Sequence, residues 1–215
     1  KRKEISKDTP GLFSFIAAMD KFPATLASKL KNPVEINAEV SNLSFKENFT
    51  LEIQKSGKTT KRNFDKLVIS IPALEMSSLL ASLSPQEASR IKDIMYPPVA
   101  VVFMGFKKED VDRELDGFGF LVPNVEKRSI LGSIWSSTIF PGRAPAGHAA
   151  FTTFGGGTRQ PQMAEADDET LKKIVRKDLD DLIGLSGTPV LTKIKRWPRA
   201  IPQYTMGYHA CQKIF

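Results

Sequence analysis

Apolar positions along the chain change period several times. Met19, Phe22, Leu26 and Leu30 recur at helical spacing in MDKFPATLASKLK (19–31), and Pro23 places the helix start nearby. VEINAEV (34–40) alternates apolar and polar residues, the period of a half-buried strand. FTLEIQK (49–55) and TTKRNF (59–64) flank Ser56-Gly57-Lys58, a hairpin signal. KLVISIP (66–72) is a short apolar run stopped by Pro72, which fits a strand buried on both faces. Leu74, Leu79, Leu80 and Leu83 then share a stripe and predict a helix over 73–83. Ser84, Pro85 and Glu87 form a capping box in sequence, which opens a second helix over 84–95; Pro97 and Pro98 close it.

The second half begins with VAVVFMGF (99–106), a strong strand. GFGFLVP (117–123), SILGSIW (129–135) and AAFTTFGGG (149–157) predict shorter strands. DETLKKIVRKDLDDLIGL (168–185) is an amphipathic helix with Leu171, Val175, Leu179 and Leu182 on one face and Gly184 at its end. PVLTKIKRW (189–197) is a last strand. Strands and hairpin, a helix pair, a mixed sheet, a long helix and a strand make an α+β pattern, not a regular βαβ alternation.

The formal charge of +7 permits contact with nucleic acid or anionic lipid. However, the basic residues are dispersed among acids and no RNP-type aromatic motif accompanies them, so nucleic acid is not expected as a partner. One cysteine, Cys211, gives neither a disulfide framework nor a zinc site, which makes a reducing, cytoplasmic location the expectation. The two histidines, His148 and His209, lack any metal-ligand pattern. No G-x-S-x-G is present, and the glycines at 155–157 form neither a P-loop nor a G-x-G-x-x-G. No catalytic side chain and no metal ligand can be nominated. No apolar run reaches the ~20 residues of a membrane helix. The charged start, without Met, reads as that of a piece cut from a larger protein.

Two stretches are left. GFGF (117–120) alternates two glycines with two aromatics, so Phe118 and Phe120 would project together from one strand face. It fits either a tight core corner or a flat apolar slot for a planar ligand. LGSIWSSTIFPGRAP (131–145) runs from a strand into a proline-fixed loop. Its small residues Ser136, Ser137 and Thr138 allow close packing and could satisfy their hydroxyls locally.

GFGFLVP, LGSIWSSTIFPGRAP, FTTFGGG (151–157), RW (196–197) and AIPQYTMGY (200–208), in this order, resemble the protoporphyrinogen and oxygen-dependent coproporphyrinogen oxidases of the flavin amine-oxidase superfamily. KLVISIPA resembles the family's strand that returns to its flavin domain. The resemblance implies an amine-oxidase-like α+β fold. Residues 73–215 would form a substrate-binding domain built on a mixed sheet with flanking helices. Residues 1–72 would be a helix and a small antiparallel β portion of the FAD side. The implied activity is oxidation of a porphyrinogen to the porphyrin in haem biosynthesis, with FAD as cofactor and oxygen as acceptor. Such an enzyme needs no catalytic triad, because the cofactor carries the redox chemistry.

By motif, Phe118, Gly119, Leu121, Ile134 and Phe154 would line the substrate slot. Phe154 would pack against a pyrrole ring, and Gly119 would let another ring approach the backbone. Val40 stands where relatives contact the adenine end of FAD with backbone groups, and Trp197 matches an aromatic beside the isoalloxazine. The family's G-x-G-x-x-G is not among the 215 residues, so the chain alone is expected to be inactive and not to retain FAD. The whole enzyme would associate peripherally with the cytoplasmic face of a membrane through a segment outside these residues. GYH follows PQY where the family usually has Gly-His, which leaves open whether Tyr208 or His209 takes that place. A second reading is a non-catalytic module that binds an apolar planar ligand such as a porphyrin.

Overall fold

The computed structural model describes residues 13–16 and 18–209. Expectations for Cys211 and for the charged start lie outside the described residues. The chain divides into two units, Lys1–Ile36 and Asn37–Phe215.

The first unit holds α1 (Lys21–Lys29), inside the span 19–31 that its periodicity predicts. Its apolar row, Met19, Phe22, Leu26 and Leu30, is exposed, and no residue of the helix is buried.

The second unit opens with an antiparallel meander of β1 (Glu39–Phe45), β2 (Phe49–Lys55) and β3 (Lys58–Phe64). The alternating stretch 34–40 is strand only at its end. Asn37 takes a φ of +54°, a left-handed conformation that interrupts any strand. The hairpin forms where expected, through a tighter turn. Lys55 pairs with Lys58, and the two residues between, Ser56 and Gly57, both have positive φ. That is the I′ geometry whose twist matches the flanking strands. Leu43, Leu51 and Ile53 form the buried core of this sheet.

The apolar run 66–72 does not form the doubly buried strand its composition suggests. Leu67 and Ile69 pack against the meander core, while Val68 is 91% exposed. No strand among the described residues pairs with it, so it has no ladder to join.

The helix pair follows as α2 (Ala73–Leu80) and α3 (Pro85–Lys92), each shorter than its apolar pattern. Ser84 and Pro85 take the N-cap and first helical positions, but the Ser84 side chain accepts no capping hydrogen bond, so the box does not close. The two helices are tied instead by the Ser77 hydroxyl, which donates to Ala88 O at 2.7 Å.

The remaining elements are β4 (Val99–Lys107), β5 (Gly119–Leu121), β6 (Ile130–Trp135), α4 (Ser136–Ile139), β7 (His148–Gly156), α5 (Gln162–Glu165), α6 (Asp168–Ile183) and β8 (Leu191–Trp197). They build a five-stranded sheet in the order β5-β6-β7-β4-β8. The α+β class is as read. The sheet, expected to be mixed, is antiparallel at every pair, because β5, β6 and β7 meander and α6 returns the chain so that β8 runs against β4.

Helix α6 covers one face of this sheet. Leu171, Val175, Leu179 and Ile183 are buried with Val102, Met104, Phe106 and Phe151. The helix starts at Asp167, whose carboxylate accepts the Thr170 amide at 3.0 Å, and ends at Gly184 with a φ of +62°. The edge of the sheet beyond β6 is fixed by buried polar contacts. Asp178, 6% exposed, accepts the amides of Ser129 and Ile130 at 2.8 and 3.0 Å. Arg159 donates to Val122 O and Ile130 O at 2.9 and 3.0 Å. With one face of the sheet sealed by α6, only the other is left to meet a ligand. Among the described residues no helix is long and apolar enough to cross a membrane.

Candidate functional site

Strand register decides which side chains share the open face. Antiparallel partners point to the same side of a sheet. Phe154 pairs with Val101, Gly132 with both Leu121 and Phe154, and Ile134 with Thr152. These residues lie on the face opposite the core residues Val102, Met104 and Phe151. Over β5, β6 and β7 that face is recessed into a cavity of about 430 Å³, within the size range of small-molecule sites.

The cavity gathers all five residues that the motifs single out: Phe118, Gly119, Leu121, Ile134 and Phe154. Val99, Leu131 and Ile201 join them, and none was nominated from the sequence. Leu131 is admitted by a register shift between Ile130 and Gly132, which turns two successive residues out of simple alternation. Ile201 arrives from the AIPQY segment, which has no periodicity to reveal its direction. The wall contains no ionisable side chain. The hydroxyl of Ser133, at the wall, is already paired with Thr153 at 2.9 Å in a buried contact. Such an open apolar cavity can position an apolar body, but it offers no acid, base or nucleophile.

One local expectation is corrected. Phe118 and Phe120 both border the cavity but do not project together: Phe120 meets Trp135 edge-on and packs against the main core, while Phe118 stays half-exposed. The cause is Gly119, whose φ of +135° turns the chain between them. Gly119 lines the cavity and is also required by the fold. A Cβ there would meet Ser133 O at 2.1 Å, so what requires glycine is the backbone of β6. The reciprocal position, Gly132, would place a Cβ 2.5 Å from Phe120 O. Two glycines thus let β5 and β6 approach as the lip of the cavity.

The opening of the proline-fixed loop also differs from expectation. The hydroxyls of Ser136 and Ser137 bond across to β7. Ser136 Oγ lies 2.7 Å from Thr152 Oγ1, and Ser137 Oγ accepts the Ala150 amide at 3.0 Å. These bonds hold α4 against β7 at the end of β6.

The two residues nominated for FAD lie elsewhere. Trp197 ends β8, half-exposed, on the same face as the cavity through its pairing with Val99. Val40 is on β1 and lines a separate groove of about 750 Å³ with Leu67, Ile69 and Leu79. A register shift between Val40 and Asn42 leaves Ser41 without a register partner on β2, while Val40 pairs with Ile53. Among the described residues no group of three or more His, Cys, Asp and Glu could hold a metal ion.

Residues 8–214 match the family of flavin containing amine oxidoreductases. The chain is 32% identical over 215 residues to protoporphyrinogen oxidase 2, chloroplastic/mitochondrial, of Arabidopsis thaliana, a match that covers 94% of this chain and 42% of that protein. It is 26% identical over 144 residues to coproporphyrinogen III oxidase of Bacillus subtilis (strain 168), covering 67% of this chain and 30% of the other. In fold, it superposes on the crystal structure of an Exiguobacterium sp. 255-15 protein with a TM-score of 0.74 and 20% identity, over 94% of this chain and 43% of that one. The chain therefore spans about two fifths of the length of the Arabidopsis thaliana and Exiguobacterium sp. 255-15 proteins. A sealed core face, an apolar open face and a family match over nearly every residue agree: the chain belongs to the flavin containing amine oxidoreductases, as a domain like those of the protoporphyrinogen and coproporphyrinogen oxidases.

Proposed function

We propose that this chain supplies the substrate-side wall of an FAD-dependent oxidase that converts a porphyrinogen to the porphyrin, with oxygen as the final acceptor. One observation carries the reading: Phe118, Gly119, Leu121, Ile134 and Phe154, separated by up to 36 positions in sequence, converge on one cavity without an ionisable side chain. A porphyrinogen is an apolar macrocycle that needs shape and dryness more than acid–base groups. Phe154 and Ile134 offer it an apolar floor, and Phe118 and Leu121 offer it a wall on the β5 side.

The residues present suit the ends of the cofactor. At Val40 the β1 backbone is irregular and borders a groove where an adenine edge could lie, and Trp197 presents an aromatic surface on the open face of the sheet. FAD, when bound, supplies the two-electron oxidation and the route to oxygen. The chain itself binds the macrocycle and orients it against the sheet. In this reading residues 1–72 belong with the FAD side and 73–215 with the substrate side.

Titration of the chain with a porphyrin, followed by fluorescence quenching, tests the cavity. Saturable binding that weakens at least fivefold in Phe154→Ala and Ile134→Ala is expected. Absence of saturable binding to the wild type overturns the reading. Conversion of porphyrinogen by the longer protein, and its loss in Phe154→Ala, tests the activity.

A further inference from the structure

We propose that Lys193 and Lys195, on the edge strand β8, form a cationic rail that takes the carboxylate arms of the ligand; the inference rests on the porphyrinogen reading above. The argument begins with register. Phe154 pairs with Val101, and Val101 pairs with Lys195. One row over, Ile134 pairs with Thr152, Thr152 with Phe103, and Phe103 with Lys193. Each row crosses the open face from apolar cavity to lysine. All members of a row point to the same side, so both lysines stand on the ligand side and not over α6.

The distances suit the task. Neighbouring strands lie about 4.8 Å apart, which places the Lys195 backbone about 10 Å from that of Phe154. A lysine stem lifts its ammonium off the sheet on the ligand side, where an acidic arm of a ring seated over Phe154 can extend to meet it. Residues two apart on one strand are about 7 Å apart, so the rail offers two cations to two arms.

The lysines are also unspent. Both are exposed, and neither is in a salt bridge among the described residues, unlike Lys61, Lys107 and Lys172. Lys195 Nζ sits 5.0 Å from the centre of the Trp197 ring, a cation–π contact that keeps the ammonium over the sheet. No other ionisable group belongs to the rows that cross the cavity. The cavity would therefore read the apolar body, and the rail would read the acids at its edge.

The test compares a dicarboxylate porphyrin with its dimethyl ester, each titrated into the wild-type chain, Lys193→Met, Lys195→Met, the double variant and Lys195→Arg. Each Met variant is expected to weaken the acid about three- to fivefold, as befits an exposed ion pair, and the double variant about tenfold. Affinity for the ester is expected to stay the same, Lys195→Arg to behave as wild type, and added salt to erase the difference between acid and ester. If the wild type binds acid and ester and the double variant leaves both unchanged, the rail is wrong and the cavity reading stands. If the double variant weakens both alike, the lysines act through packing and the rail is again wrong. If the wild type binds neither, both readings fail together.

Discussion

Replacing Gly119 with alanine adds one methyl group, and the structure sets a high cost on it. The methyl carbon would lie 2.1 Å from Ser133 O and 2.9 Å from Ile134 Cα, and both neighbours are backbone. Neither can rotate away, so β5 must move off β6. The φ of +135° adds a second penalty, because an L side chain rarely adopts it. Overpacking costs about 1–3 kcal/mol and an unfavourable backbone conformation about 1–3 kcal/mol. A combined loss of about 3 kcal/mol follows where β5 partly relaxes. In a domain of this size that lowers the melting temperature by roughly 6–12 °C.

Urea denaturation followed by far-ultraviolet circular dichroism measures the loss, with Gly57→Ala as the reference. Gly57 has a φ of +75° but nothing within 4 Å of a built Cβ, so its variant carries the conformational penalty alone. The expected order is wild type, then Gly57→Ala, then Gly119→Ala. If Gly119→Ala falls within about 0.5 kcal/mol of wild type, the close approach of β5 and β6 is refuted. If the two variants lose the same amount, strain alone accounts for Gly119. Because the lip of the cavity moves with β5, any loss of ligand binding in Gly119→Ala reports that movement, which is why Phe154→Ala is the cleaner probe of the wall.

Other consequences follow from the same contacts. Asp178→Ala removes the acceptor for two amides and leaves Arg128 facing one carboxylate fewer; a loss of about 3 kcal/mol in chemical denaturation is expected, with hydrogen exchange speeding first at Ser129 and Ile130. Arg176→Met should cost about 2 kcal/mol, because it strips the carbonyls of Leu185, Ser186 and Gly187 of their donor and removes the cation over the Phe106 ring. At the start of α6, the Thr170 hydroxyl and then the Thr170 amide hold the Asp167 carboxyl below its ordinary 3.8. A carboxyl depressed in the folded state stabilises the fold above that ordinary value and loses the contribution as pH falls through the folded value. Asp167→Ala should therefore melt earlier than wild type at pH 7, and the gap should close as the pH falls below 3.8; a gap that persists there would show that the cap does not act through its charge.

How far the sequence could anticipate these features depends on whether each is written in local chemistry. Helix α6 was largely legible: Leu171, Val175 and Leu179 repeat at helical spacing and Gly184 marks its end, while the cap at Asp167 and the burial of Ile183 in place of Leu182 were not read. The hairpin was legible because Ser56-Gly57 can adopt positive φ at both positions. What stayed hidden was set by partners remote in sequence. The composition of 66–72 suits a buried strand, but burial needs a neighbour that composition cannot supply. That a strand crossing requires the glycine at 119 shows only once Ser133 O is seen beside it. The slot residues came from resemblance, and their convergence on one cavity is a product of register, since one slipped residue in β6 would turn Ile134 to the α6 side. The lysines of β8 show the same dependence. Their alternation with Ile194 indicates only that they face away from the core. It is the pairing of β8 with β4, and of β4 with β7, that puts Lys195 in line with Phe154 and Lys193 in line with Thr152 and Ile134. A residue's role at this site is therefore fixed less by its own segment than by the strand opposite, so a test of function here has to separate changes of wall chemistry from changes of register.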